Sequence, residues 1–323
     1  MTLDKKDWKI LAILSKNCRS SLTQIAKAVG VSREVTDYRI KKLVKTGIIK
    51  SFCTDVDFQA LGYTKHVVYL ELKNVDKEKE ENIFKFFKNH KFISWIVTST
   101  GKWSIIFDVH SKNTIHLSQI IKEIKQNLGD YLGEYEIVTL EDYQYFHSKF
   151  FGEKNIIKKE KPKEETLDDI DLSLLKKLIN NARIDYVKLS DIINLTPEAI
   201  SKRIKRLKEN RVIKQFYIFS DLTKLGFEHY NIQIILENIR DEKEKKVINY
   251  LQNHKSVSFI YKPVSHLNIE FGVFVKNPGE LRDFMVQLRT LFPENIRIKD
   301  VALFYEEIVG NYLPEGVFIK DDS

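Results

Sequence analysis

Adding 164 to a residue number returns a second copy of the same sequence, without a gap, over about 140 positions. Leu3-Asp4 maps to Leu167-Asp168, Asp7 to Asp171, Leu11 to Leu175, Asn17 to Asn181 and Arg19 to Arg183. Arg39-Ile40-Lys41 returns as Arg203-Ile204-Lys205, Leu43 as Leu207, Ile49-Lys50 as Ile213-Lys214, Phe52 as Phe216 and Leu61-Gly62 as Leu225-Gly226. Further on, Asn89-His90-Lys91 returns as Asn253-His254-Lys255 and Lys112-Asn113 as Lys276-Asn277. A period this long, present twice, describes a duplicated domain pair and not a solenoid of short repeats. Whatever one copy folds into, the chain builds two of them.

Each copy opens on helices. Lys5 to Leu14 and Asp169 to Leu178 read as first helices. In the stretch Leu22 to Lys50, Leu22, Ile25, Ala26 and Val29 recur at helical spacing, and Gly30 supplies the left-handed conformation that closes such a helix. Ser32 then caps a second helix, which opens with Arg33. Its buried seam is Thr36, Ile40 and Leu43, at i, i+4 and i+7, so Arg33, Glu34, Asp37, Tyr38, Lys41, Lys42 and Lys45 turn outward. Gly47 stops it. Helix, tight turn and basic helix make the pattern of a helix-turn-helix. After Phe52 the pattern changes to period two with β-branched and aromatic residues. Residues 66–73, 92–99, 103–110 and 135–146 read as strands, 76–89 and 113–127 as helices. The order is β-α-β-β-α-β, a ferredoxin-like half, repeated from about Tyr230 to Val309.

The expected class is therefore α+β: two winged-helix/helix-turn-helix domains, each followed by a ferredoxin-like βαββαβ domain. The boundaries expected are 1–52, 53–151, 167–216 and 217–323, with 152–166 (GEKNIIKKEKPKEET) as a charged, solvated linker.

Charge locates the working surface. The net charge is +8 at pH 7. Residues 1–52 carry 12 Lys/Arg against 4 Asp/Glu, and residues 167–216 carry 11 against 7. The rest of the chain holds 30 against 34, so all the positive excess sits on the helix-turn-helix segments, as phosphate binding requires. Cys18 and Cys53 are the two cysteines and form no CxxC pair, which points away from a disulfide framework or a zinc site. No signal-peptide pattern and no membrane-length apolar run is present, so a soluble, cytoplasmic protein without a membrane partner is expected.

LDxxDxxIL, then GVSxxxVxxRIxxL, then GII, followed by a βαββαβ half, resembles the Lrp/AsnC transcription regulators. The first copy reads Leu3-Asp4-Lys5-Lys6-Asp7, Gly30-Val31-Ser32 through Arg39-Ile40-Lys41-Lys42-Leu43, and Gly47-Ile48-Ile49. The second has Leu167-Asp168, Asp171, Leu195-Thr196-Pro197, Arg203-Ile204-Lys205-Arg206-Leu207 and Val212-Ile213. The resemblance implies that the second helix of each motif enters the major groove of double-stranded DNA. Carried over by position, the contacting residues are Ser32, Arg33, Asp37, Tyr38, Lys41 and Lys42, then Thr196, Pro197, Ser201, Lys202, Lys205 and Arg206. Arg33 suits a bidentate contact to guanine, and Lys42 and Lys205 suit phosphate. Arg39 and Arg203, beside the apolar seam, are expected in structural ion pairs with Asp7 and Asp171.

The resemblance also implies a βαββαβ half that self-associates and holds a small effector near the turn between its middle strands, usually Gly-x-x-Asp. The two copies offer Gly101-Lys102-Trp103-Ser104 and Ser265-His266-Leu267-Asn268, so Gly101, Lys102, Ser104 and Asn268 are the effector candidates and the carboxylate is missing from both. Trp103 is expected to pack on a neighbouring strand. No cofactor and no metal is expected.

Two other readings compete. Siroheme decarboxylases share the resemblance and work as paired halves, with His and Arg around an acidic tetrapyrrole. His90 and His254 recur, but each lies in an NHK turn, where an exposed histidine is expected, and both copies keep basic recognition helices. The other reading is a chromatin-like DNA binder without sequence preference, whose electrostatic footprint is the same. The expectation taken forward is a regulator and not an enzyme, folded as a single-chain pseudo-dimer with two unlike heads, reading an asymmetric operator. Free β-edges would leave it a monomer or a component of larger rings.

Overall fold

The computed structural model describes residues 3–152, 166–237, 241–264, 269–309 and 314–318. The elements obey the 164-residue offset nearly to the residue. The described residues form two compact units: one holds those through Gly62, those within His147–Leu225 and residues 317–318, the other those within Tyr63–Phe146 and Gly226–Gly316. Each unit therefore takes its half from both copies.

The first unit contains both helix-turn-helix heads. In the first, α1 (Lys5–Lys16), α2 (Leu22–Val29) and α3 (Arg33–Lys45) precede β1 (Ile49–Val56). Asp4 starts α1 by accepting from the N–H groups of Lys6 and Asp7, and the Asp7 carboxylate returns a bond to the Asp4 N–H. Gly30 closes α2 at φ +75°, and the Ser32 hydroxyl caps α3 by accepting from Val35 N–H at 3.2 Å. The matching helices of the second copy are α6 (Asp169–Asn180), α7 (Tyr186–Ile193) and α8 (Pro197–Glu209), before β6 (Ile213–Ser220). There Asn194 takes the left-handed position at φ +58°, a role asparagine tolerates better than other side chains, and Thr196 is the cap. Each head buries the same seam: Ile10, Leu11, Leu14, Ile25, Ile40 and Leu43 in one, and Leu174, Leu175, Leu178, Leu189, Ile204 and Leu207 in the other.

The heads are joined by antiparallel pairing of β1 with β6. This moves one expected boundary, because position 52/53 falls inside β1 and the compact unit extends to Gly62. On the other side, residues 147–151 belong with the heads: the short turn Lys149–Phe151 sets Phe150 and Phe151 6.4 and 6.0 Å from the Trp8 ring. Of the expected linker 152–166, residues 153–165 lie outside the described residues.

The second unit holds both βαββαβ halves. The first runs β2 (Thr64–Leu72), α4 (Lys77–Asn89), β3 (Ile93–Ser99), β4 (Ile105–Ser111), α5 (Thr114–Leu128) and β5 (Leu132–Tyr145). The second runs β7 (Glu228–Leu236), α9 (Asp241–Asn253), β8 (Val257–Pro263), β9 (Ile269–Val275), α10 (Pro278–Leu291) and β10 (Ile296–Val309). Within each half the strand order is the ferredoxin-like one, β3-β4-β2-β5 and β8-β9-β7-β10. The halves join at two antiparallel seams, β5 with β8 and β10 with β3, and the eight strands close into a barrel. Closure overturns the expectation of free edges here, since every barrel strand is paired on both sides. Alternation then sorts the side chains. In the first half Val68, Leu70, Ile105, Phe107 and Val109 pack outward against α4 and α5. Val67, Tyr69, Trp95, Val97 and Ile106 turn into the barrel and meet Phe259, Tyr261 and Phe304 of the other half.

Candidate nucleic-acid interface

The seam of α3 fixes what its other face can present. Thr36, Ile40 and Leu43 are buried, and Ser32, Arg33, Glu34, Tyr38, Lys41, Lys42 and Lys45 are exposed. Tyr38 is 67% exposed, a large aromatic left in solvent where the helix has nothing of its own to pack it on. Asp37 is half-buried and bonds Lys41 one turn on at 2.6 Å, so these two candidates form one neutral pair. On α8, Thr196, Lys202 and Lys205 are exposed, and Pro197 and Ser201 half-buried. Lys205 lies 3.8 Å from Glu209.

Arg206 departs from its expected place. Its Nη2 donates to the buried carboxylate of Asp171 on α6, so its guanidinium serves the head's interior. Its counterpart Lys42 is exposed. An arginine, with five donors and a long stem, reaches back over the helix to a carboxylate that a lysine at the same place leaves alone. Arg39 and Arg203 do what the seam position implied. Arg39 Nη1 lies 2.8 Å from Asp7 and 2.8 Å from Asp4, and Arg203 Nη1 lies 2.7 Å from Asp171 and 2.8 Å from Asp168. These bonds hold the recognition helix against the first helix. The Asp7 N–H, and then Arg39, lower the Asp4 pKa from its ordinary carboxylate value.

Sequence reasoning assigned no role to Arg19 and Arg183, although their identity at matching positions was a signal. Arg19 Nη1 donates to the carbonyl of Ala182 at 2.6 Å with its guanidinium 4.7 Å over the Tyr186 ring. Arg183 Nη1 donates to the carbonyl of Cys18, over the Phe52 ring at 5.4 Å. Residues 18 and 182 are counterparts, so each arginine grips the end of the other head's first helix. Cys18 N–H donates to Phe216 and Ala182 N–H to Phe52, each at 3.0 Å, and Lys50–Asp221 (3.7 Å) and Lys214–Asp57 (3.0 Å) repeat the reciprocity. The recognition helices are thereby carried on one body.

The expected effector turn is less open. Gly101 is exposed at φ +87°. Lys102 pairs with Glu134 at 2.6 Å and covers the Trp103 ring at 4.5 Å. The Ser104 hydroxyl accepts from Leu72 N–H at 3.0 Å and borders an open depression of about 550 Å³ with Leu72, Asn74, Val75, Asp76 and Glu80. Asn268 lies outside the described residues. Trp103 is buried against Tyr69, as expected.

His90 and His254 are not exposed turn residues. Each Nδ1 accepts the N–H two residues on, from Phe92 at 3.1 Å and from Ser256 at 3.3 Å, and the rings pack on Phe86 and Phe284. Burial lowers the His90 pKa. Among the described residues no group of three or more His, Cys, Asp or Glu is placed to hold a metal ion, and no helix is long and apolar enough to cross a membrane.

Residues 3–50 match a winged helix-turn-helix DNA-binding model, and residues 167–208 match the AsnC-type helix-turn-helix domain. An uncharacterized HTH-type transcriptional regulator of Pyrococcus horikoshii is 36% identical over 117 residues, covering 36% of this chain and 76% of that protein. The chain belongs to the Lrp/AsnC family. As a member it is a DNA-binding transcriptional regulator built from two tandem units. The HTH-type transcriptional regulator LysM of Sulfurisphaera tokodaii is 29% identical over 127 residues, covering 39% of this chain and 88% of that one. Among solved structures, the siroheme decarboxylase NirDL superposes with a TM-score of 0.64, covering 97% of this chain and 96% of that one at 16% identity. At that identity the likeness is one of fold, along nearly the whole of both chains.

Proposed function

We propose that this regulator is sequence-specific and acts as a single-chain pseudo-dimer whose two unlike heads read two unlike half-sites. The observation that carries the proposal is the clamp between the heads. Reciprocal Arg19 and Arg183 bonds and the β1–β6 ribbon hold in one compact unit two recognition helices whose outward residues differ. Ser32, Arg33, Tyr38, Lys41 and Lys42 are assigned to DNA in the first head, with Asp37 tuning Lys41. In the second, Thr196, Pro197, Ser201, Lys202 and Lys205 are assigned, and Arg206 is withdrawn in favour of its bond to Asp171. Arg33 is the candidate base reader, where a bidentate pair to guanine contributes roughly 1–3 kcal/mol of discrimination. The second head offers fewer uncommitted cations and contributes less affinity.

The proposal is regulatory and not enzymatic. His66, His90, His110, His116, His229 and His254 are engaged by neighbouring groups of the fold, which leaves those rings little role toward a tetrapyrrole. Control by an amino-acid effector is not part of the proposal, because Lys102 and Ser104 are already bonded within the fold. Selection from a random duplex pool at near-physiological salt tests the reading. An asymmetric motif with half-sites about one helical turn apart supports it. A two-fold symmetric motif, or no enrichment with binding that vanishes as salt rises, refutes it. Absorption bands of a bound tetrapyrrole in the purified protein would restore the enzymatic alternative.

A further inference from the structure

We infer that the barrel interior is a pairing code, which makes the first βαββαβ half select the second half of the chain and reject another copy of itself. This rests on the single-chain reading above.

The two faces of the sheet carry the argument. Positions that pack outward on helices are alike in the two copies: Val68 and Ile232, Leu70 and Ile234, Ile105 and Ile269, Phe107 and Phe271, Val109 and Val273. Positions facing the interior are unlike: Lys65 and His229, Tyr69 and Gln233, Ile106 and Glu270, Asp108 and Gly272, Tyr143 and Glu307. A duplicated interior that packed symmetrically would be apolar and matched. This one is complementary across the seams.

The bonds show the complementarity. Tyr69 of the first half donates its hydroxyl to Glu270 of the second, both about 1% exposed, and Gln233 lies 3.5 Å from the same carboxylate. Lys65, 2% exposed, pairs with Asp108 at 2.5 Å and donates to the Tyr261 hydroxyl of the second half at 3.1 Å. Trp95 donates its indole N–H to Glu307, again across the seam.

A barrel built from two first halves would set Tyr69 against Ile106, Lys65 against Val97 and Trp95 Nε1 against Tyr143, by the 164-residue correspondence. One built from two second halves would bury Glu307 against Phe259 and provide no Lys65. The buried Tyr69 hydroxyl loses its acceptor in the first case and Glu307 loses its indole donor in the second, whereas Lys65 loses Tyr261 but keeps Asp108 and Tyr145 of its own half. Each buried group deprived of its partner lowers the pairing constant by about tenfold, and two-fold symmetry repeats each loss. The partner that fits the first half is the second half, covalently supplied.

The test uses the full chain with a specific protease site placed within residues 153–165 and cut after folding. Isotope-labelled and unlabelled cut protein are mixed and warmed until labels scramble among first–second pairs, which proves that the halves exchange. Native mass spectrometry then counts the pairs. First–second pairs with same-half pairs below about a tenth are expected, and a statistical 1:2:1 distribution would overturn the inference. Tyr69→Phe with Trp95→Phe removes two donors from the first half while leaving the heads untouched. It should raise first–first pairs several-fold, and unchanged selectivity would move the code out of the barrel. Because the readout is mass, a chain that failed to bind DNA would leave this result intact.

Discussion

Replacing Glu270 by Gln should flatten the pH dependence of the barrel's stability. Burial raises the Glu270 carboxyl from 4.5 to about 7, against the lowering effect of the Tyr69, Asn231 and Gln233 bonds and with the Asp108 charge adding to the rise. The folded state therefore holds a proton that the unfolded chain releases. Stability from this group is fully present below about pH 4.5 and is lost as pH rises through about 7. At about 1.4 kcal/mol per pH unit, the gap corresponds to roughly 3 kcal/mol. Glutamine keeps the shape and has no such proton to lose. Asp108, also raised by burial to about 6, contributes a slope of the same sign to both proteins. The assay is urea unfolding at several pH values, followed by tryptophan fluorescence, since Trp95 and Trp103 lie in the barrel core. Wild-type stability minus that of Glu270→Gln should fall by about 3 kcal/mol between pH 4.5 and pH 8. Parallel curves would refute the claim that Glu270 is buried and protonated.

Other outcomes follow from the heads. Lys42→Ala should lower the slope of log affinity against log salt by about one, whereas Arg206→Ala should leave it unchanged while destabilising the second head. Arg39→Met leaves Asp7 without a cation and should cost about 1–3 kcal/mol in thermal unfolding. Arg203→Met should cost less, because Asp171 keeps Arg206; equal losses would contradict the second bond. Arg19→Met with Arg183→Met should relax the tolerated half-site spacing by a base pair or more in binding assays on spaced operators. Unchanged spacing preference would show that the β1–β6 ribbon suffices alone.

Local order was legible because local physics sets it. Ser32 writes the cap of α3 into the chain, and the Thr36-Ile40-Leu43 spacing determines which side chains remain outside. The ion pairs of Arg39 and Arg203 were also readable, since an arginine beside an apolar seam with aspartates at the start of the first helix has few other partners. What escaped was side-chain reach within a copy and the meeting of the two copies. The reach of Arg206 to Asp171 depends on side-chain length, which a helical wheel does not weigh. His90 and His254 were placed outside by their turn, yet the backbone N–H groups of Phe92 and Ser256 draw them in. Barrel closure required Tyr143 and Tyr145 of one copy to find Phe259 and Tyr261 of the other, a pairing that no local pattern specifies. The polar residues Lys65, Asp108 and Glu270 inside otherwise apolar strands were the signal available for it.

The most direct test of the two-headed account compares three duplexes by equilibrium binding at fixed salt: the selected asymmetric operator and the two palindromes made from either half-site. The asymmetric operator should bind at least tenfold more tightly than either palindrome, each of which mismatches one recognition helix at a cost of roughly 1–3 kcal/mol per base pair misread. A palindrome bound as tightly as the asymmetric operator would contradict two unlike heads reading together.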